Sequence, residues 1–458
     1  VNPSLPLAVV LCLAFAASAS AQEFKSGRHG APCSPGDLAY GRLLLACGAD
    51  GTYRNAEPDD VPPPPEGGYT TRPYWFPPLS VTMTANRAPA CPLMGRVTFT
   101  SPVIAGEDLL PIIPQGMMIG DHVTPIDHGY FGVRPLARAR VDRTEADYVP
   151  VRAPADGEII SVSTLGSPTS IRVVMAHGCD TYSIYMVLNR VSGVLAHLHD
   201  ELMANGFVHT SIQVLAEQEF GRQRDNPLDF SVHDGATWLS GFAGPFSYTS
   251  AETWKPYTVD PLSYFSLPLA ELYTANMQRV ASPRWGRIDL DVPGTASGNW
   301  FLEGTLGYSG LPIELTRAVA EPPGGPVPGK NTYVWNHLSI APHWVQPSKW
   351  VFSTGWYADP AGDPQQFLIV PGAGQVLPDA LTVAHGAVLY RLEQLSFAAT
   401  LVNEAPLPVG YEVIGGMTRG YVAVQVLDAQ RVAVEVFPTV TAPPAFAGFS
   451  AARRVYRR

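Results

Sequence analysis

At 458 residues the chain is too long for one ordinary domain, and two or three are expected. Its net charge of −10 argues against a nucleic-acid partner gripped by a basic surface. Pro and Gly are abundant, charged residues are few, and helix-period stretches are rare, which indicates a mainly β protein with many turns. In chain order, the first feature is an apolar run from Leu5 to Ala17, followed by small residues up to Ala21. It is too short to span a bilayer comfortably and reads as a secretory signal over 1–21, cleaved after Ala21. No Lys or Arg precedes the run, so an uncleaved membrane anchor stays open as the alternative. No other segment is apolar and long enough to cross a membrane, so the expected location is secreted or periplasmic, in a bacterium.

Cys12 would leave with the signal, and Cys33, Cys47, Cys91 and Cys179 remain. An even count in an exported chain favours disulfides, and the lack of any CxxC pair argues against a finger-type zinc site. Cys33 with Cys47 closes a small loop and is the preferred pairing. Cys91 with Cys179 would follow, and the other two connectivities stay open. Residues 22–60 therefore read as a small Cys-stapled module, too small to hold a core unaided. Residues 61–90, opening with Pro62 to Pro65 and Gly67-Gly68, read as a Pro-rich linker.

The region 91–280 holds short β-branched or alternating runs at 96–100, 157–162, 170–175 and 182–187. A helix is predicted over Val194 to Asn205, with Leu195, Leu198 and Leu202 on one face and Gly206 as its stop. A second is predicted over Pro268 to Arg279. The last region, 281–458, is again strand-rich. Alternation at 287–291, 421–426 and 431–436 predicts strands, the last two joined as a hairpin across Asp428 to Gln430. Trp300, Trp335 and Trp344 sit beside Asn and His; exposed, they would suit sugar stacking, but core packing is the commoner reason for Trp.

The residues with metal or proton chemistry concentrate between 120 and 235. His122, Asp127 and His128 surround Pro125, and Asp229 and His233 lie on one later predicted strand, four apart and so on the same face. Imidazole and carboxylate are the natural ligands of a hydrolytic zinc, which needs three of them and an open position for water. His197 and His199 form a His-x-His, but in a predicted helix residues two apart diverge by about 200° and do not share a face. There is no Gly-x-Ser-x-Gly elbow, phosphate loop or dinucleotide fingerprint.

Taken in order, His122 to His128, the Ala153 to Gly157 turn, His177-Gly178 and Asp229 to Val232 resemble the core of the lysostaphin-like zinc peptidases, the M23 family. The resemblance spans about 110–235. It implies a lysostaphin-like β-sandwich or barrel domain over 91–280, followed by a separate C-terminal β domain over 281–458. It also implies a zinc ion held by His122 or His128, Asp127 and Asp229. Peptidoglycan, or another cell-envelope glycan or peptide, would be the partner. His177 falls on the family's groove-shaping His-Gly strand end, and His233 is the residue placed to compensate for a lost assisting histidine; these two are the catalytic candidates. The departures fall on proton handling. Val187 stands where a Tyr-x-His-Leu element has its assisting His, Pro227 where the first His of His-x-His belongs, and Asp229 replaces its ligand His. A general base lost in this way removes a factor of roughly 10²–10⁴. Two readings follow: a zinc-dependent hydrolase with a degenerate site, or a catalytically inactive envelope-binding protein using the same groove.

Overall fold

The computed structural model describes residues 24–84, 97–178, 180–317, 332–357, 364–401 and 408–458. The signal segment and Cys91 and Cys179, with the bridge expected between them, lie outside the described residues. Three short strands, β1 (Leu38–Tyr40), β2 (Leu44–Cys47) and β3 (Tyr53–Asn55), form an antiparallel sheet in that order. The Cys33–Cys47 disulfide ties β2 to the segment before β1, as its loop length suggested.

Ten strands build the middle of the chain: β4 (Leu109–Ile113), β5 (Gly129–Val133), β6 (Val149–Arg152), β7 (Gly157–Ser167), β8 (Ser170–Ala176), β9 (Thr181–Leu188), β10 (Arg190–Val191), β11 (Phe207–Val214), β12 (Glu219–Gln223) and β13 (Leu228–Asp234). Seven pair in the order β11-β7-β8-β9-β13-β5-β4, all antiparallel, and β10-β12-β6 make a small second sheet. Along β13, Leu228, Phe230 and Val232 point into one apolar core with Phe131, Val173, Tyr185 and Trp285. The period-2 geometry of a strand sends Asp229, Ser231 and His233 to the other face. That face is also covered: Val174, Ala176, Tyr182 and Ile184 pack there against Trp75, Phe76, Leu79, Phe242, Tyr248 and Tyr257.

The remaining strands are β14 (Gly298–Leu302), β15 (His337–Pro342), β16 (Trp350–Thr354), β17 (Gln365–Val370), β18 (Val388–Leu401), β19 (Pro408–Asp428), β20 (Arg431–Pro438) and β21 (Arg454–Arg457). They close into an eight-stranded barrel through β14–β21 pairing. Alternate residues fill its interior, among them Trp300, Ile340, Phe352, Phe367, Tyr390, Val424 and Tyr456. An eight-stranded barrel is just wide enough for side chains to fill it, and these do. The protein is mainly β, as composition indicated.

Four local expectations change. Residues 61–84 do not hang between two bodies: Trp75, Phe76 and Leu79 are buried on the outer face of the seven-stranded sheet. The predicted strand at 287–291 makes no ladder. Its alternation instead sends Ile288 and Leu290 into two apolar clusters, while Asp289 and Asp291 accept backbone N–H groups of Gly241 and Ala243. The helix at 194–205 is a 3₁₀ turn, Gly193–Leu198, running into an α-helix, His199–Asn205, and ending at Gly206 with φ 71°. Of 97–100, only Phe99 pairs, in one parallel bridge to Phe265. Trp300, Trp335 and Trp344 are all buried, so they are core residues rather than a sugar platform. No helix among the described residues is long and apolar enough to cross a membrane.

Candidate functional site

The polar face of β13 is the place where the candidate residues meet. Asp229 pairs in register with Tyr130 of β5 and Met186 of β9, so all three side chains share that face. The loop before β5 delivers Asp127 and His128 to the same spot. His128 is pinned from both ring nitrogens: Nδ1 lies 3.1 Å from Asp127 Oδ1, and Nε2 lies 3.3 Å from Asp229 Oδ2 and 3.2 Å from the Tyr130 hydroxyl. The His122 ring stands edge-on to His128 at 5.7 Å. Thus His122, Asp127, His128 and Asp229, far apart in sequence, come together.

Sequence reasoning missed the residues that cover this cluster. The segment after β13 folds back and places Trp254 and Lys255 over it. The Trp254 indole N–H donates to Asp127 Oδ2 at 2.8 Å. Lys255 is only 3% exposed; its ammonium lies 3.5 Å from Asp127 Oδ1 and 2.9 Å from Glu252 Oε2, and 5.1 Å from the centre of the Tyr308 ring. The Arg172 guanidinium stacks over Trp254 at 5.3 Å. The segment has no periodic pattern to announce this. Its one sequence signal is that lysine is rare, with four in the whole chain.

Burial and pairing compete at each group. Burial pushes the Asp127 carboxyl up, but Lys255 and His128 hold it well below the ordinary range. Burial pulls His128 down, and the Asp229 and Asp127 carboxylates more than offset this, leaving it raised. Asp229 is pushed up to about 7 by burial, against the pull of His128. His122 falls to about 4 through burial, helped by the positive charges of His128 and Lys255. Lys255 stays charged: burial disfavours its ammonium, and Asp127, Glu252 and Tyr308 reverse that. Three carboxyl groups (Asp127, Asp229, Glu252) therefore face three bases (His128, Lys255, Arg172) in a largely buried setting.

The remaining sequence candidates lie elsewhere. His233 shares the face of Asp229, yet its ring is held by the Ser231 and Thr258 hydroxyls, 3.0 and 3.3 Å away. It is fully buried, and burial lowers it to about 4. His177 is not at the cluster. It bonds Ser183 Oγ at 2.8 Å and the Asp156 carbonyl at 3.0 Å, and packs on Phe99 at 5.0 Å, all on the opposite face of the sheet. Ser183 and Tyr185 alternate with Tyr182 and Ile184, which is why a histidine bonded to Ser183 cannot also face Asp229. His197 and His199 are exposed at the helix entry.

Val187 and Pro227, where the resemblance would put two histidines, lie close together. The buried Gln223 amide donates to the carbonyls of Val187, Asn226 and Pro227 at 3.1, 2.7 and 3.3 Å, and its Oε1 accepts from Asn189 N–H at 3.0 Å. Backbone carbonyls and one amide meet there. Val187 itself has φ 51°, a conformation that β-branched residues avoid.

The residues present do not fit a zinc ion as they are arranged. Both nitrogens of His128 are engaged, Asp127 is neutralised by Lys255, and among the described residues no three His, Cys, Asp or Glu side chains stand where they could share a metal. At the opposite end of β13 a cleft of about 830 Å³ opens, bordered by Asp180, Asp234, Thr237, Asp260, Tyr264 and Arg287, with His177 in its wall.

No protein-family model and no curated protein matches the chain. Among solved structures, it is similar to a chain of the SpoIIQ–SpoIIIAH pore-forming complex at 12% identity and a TM-score of 0.22, over 39% of this chain and 97% of that one. It is also similar to Csd3 of Helicobacter pylori, again at 12% identity and a TM-score of 0.22. That match covers 52% of this chain and about half, 47%, of the Csd3 chain. At that TM-score the fold description rests on the strand order itself, not on the likeness.

Proposed function

We propose that this protein is an exported, non-catalytic binding protein for a cell-envelope glycan or peptide, built on a peptidase-like sheet. The observation that carries the reading is the closure of the charge cluster upon itself. The residues a hydrolase would spend on metal and water are committed to one another, and the positions for proton handling hold Val187 and Pro227 tied by Gln223. A base absent from both positions withdraws general acid–base catalysis, whatever else binds. The cleft, bordered in part by carboxylates, hydroxyls and Arg287, offers a surface with polar groups for a ligand. The apolar run before Ala21 and the Cys33–Cys47 disulfide support an exported, oxidising location.

The test is co-sedimentation of the mature chain with purified peptidoglycan, with the supernatant assayed for soluble fragments. Retention on the wall without fragment release is expected. Zinc-dependent release of fragments would overturn this reading in favour of the second one, a zinc hydrolase on the same residues. That rival is favoured by one observation, the Asp229 Oδ1 atom, which is buried with no hydrogen-bond partner. Absence of retention would overturn both.

A further inference from the structure

The cleft at the far end of β13 has carboxylates on its border that no cation of the protein serves. Asp234 ends the strand, and its carboxylate accepts the Ala236 N–H at 2.8 Å and the Tyr264 hydroxyl. Asp180 packs against Gly235 so closely that a Cβ there would stand 2.9 Å from its Oδ1. Asp260 caps the 3₁₀ turn Pro261–Ser263, its Oδ1 accepting the Leu262 N–H at 2.9 Å; burial pushes its carboxyl up, and that N–H pulls it back. Among the described residues bordering the cleft, the only Lys or Arg is Arg287, whose guanidinium is committed to Asp289 by two contacts of 3.0 Å. Among the described residues, Asp180, Asp234 and Asp260 have no ion-pair partner.

A second observation is independent of charge. Gln115, in the same lining, is 5% exposed. Its Nε2 donates to the Gly286 carbonyl at 3.2 Å, while its Oε1 is buried with no hydrogen-bond partner. A buried acceptor without a donor is costly, and the cleft is the side from which a donor can reach it. Carboxylates and an amide oxygen only accept, so their complement is a group that only donates and carries positive charge, an ammonium. Leu239, Val259 and Ile288 supply apolar lining beside them, which suits an aliphatic stem.

We propose that this cleft binds an aliphatic primary ammonium group, a lysine-like side chain with its methylene stem on the apolar lining and its charged end among Asp180, Asp234, Asp260 and Gln115. This rests on the reading of the protein as a binder of an envelope glycan or peptide, and sharpens it: the feature recognised is an amine on a peptide, not a neutral sugar. The residues that hold it are separate from the charge cluster under Trp254.

The experiment uses the mature full chain at low ionic strength. Nα-acetyl-lysine methylamide is titrated by calorimetry and by saturation-transfer NMR. Beside it stand its Nε-acetylated form, which keeps the stem and loses the charge, and glucosamine, which offers an ammonium without a stem. The lysine derivative should bind saturably, with a Kd of about 1 mM or tighter. Nε-acetylation should weaken binding about tenfold or more, and so should Asp180→Asn combined with Asp234→Asn. Gln115→Met, which keeps the length and removes the acceptor, should weaken it about threefold or more. Asp180 is exposed, so Asp180→Asn alone serves if the other variants fail to fold, with about a threefold loss expected. Failure of the lysine derivative to bind overturns the proposal, as does equal binding of the Nε-acetylated form; neither result needs a variant. A preference for glucosamine overturns it too, and so does undiminished binding by a folded Asp180→Asn chain. Retention on peptidoglycan without amine binding would break this proposal and leave the functional reading standing. Amine binding by a chain that is not retained on the wall would do the reverse.

Discussion

The two faces of the seven-stranded sheet are both buried, yet they are held by different physics. On one, Phe230 lies 5.3 Å from Phe131 and 5.4 Å from Tyr185, in a core whose only burden is shape. On the other, Asp127, His128 and Asp229 must satisfy one another, with Trp254 and Lys255 as the cover. The first face tolerates volume-conserving change; the second tolerates change only if charge is conserved too. Alternation of polar and apolar residues is commonly read as one wet face and one dry one. β13 shows that it also marks a sheet with two dry faces of unlike chemistry.

The comparison is broken most severely from the apolar side. Phe230→Ala opens a cavity beneath four aromatic rings and should cost about 3–5 kcal/mol by urea denaturation. A loss below about 1 kcal/mol would mean that this face is not the tightly packed one. Next comes the charged face. Asp127→Asn leaves Lys255 and His128 short of a counter-charge and should cost about 3 kcal/mol. The double change Asp127→Leu with Lys255→Met should be less damaging than Asp127→Leu alone, since it removes both charges together. Equal damage in the two would show that packing, not charge, decides that face.

Acidity separates the faces by sign. His177, on the apolar face, is lowered by burial to about 4. It is neutral when folded, so its contribution is present above 6.5 and is lost as pH falls toward 4, by about 2 kcal/mol between pH 6.5 and 5. His128, on the charged face, is raised by its two carboxylates over the effect of burial. Its contribution is present below 6.5 and is lost as pH rises through its folded value. His177→Gln should remove about one proton from the acid-side slope of stability against pH and leave the alkaline side unchanged. An unaltered acid slope would contradict the assignment. The smallest effect is expected at the surface pair Arg134–Asp108, where Arg134 is 69% exposed; Arg134→Ala should change stability by less than about 1 kcal/mol, and less still in high salt.

How much of this could be read from the chain depends on how local the cause is. The mainly β fold, the 428–430 hairpin and the helix stop at Gly206 all follow from patterns within a few residues, and the structure has them. The Cys33–Cys47 bridge was suggested by its short loop, another local signal. Barrel closure was not legible, because β14 meets β21 across almost the whole region and nothing near Phe301 points to Arg457. The gathering of His122, Asp127, His128 and Asp229 was foreseen through resemblance. Lys255 was not, because it comes from an irregular segment and its role is set by what lies beneath it. His177 was grouped with chemistry by its neighbour Gly178, whereas strand parity at Ser183 puts it on the far face.

The conformation at Val187 has a consequence for design. A β-branched residue is held at φ 51°, where histidine and asparagine sit more easily, and its carbonyl is already anchored by Gln223. Val187→His or Val187→Asn should therefore raise the melting temperature, by the equivalent of about 1 kcal/mol, and a drop would show that the valine side chain is needed there for packing. Proline at 227 offers no such opening, since its ring fixes φ and removes an N–H. An engineer wishing to give this scaffold a working base would begin at 187, where the new function and a more relaxed backbone pull in the same direction.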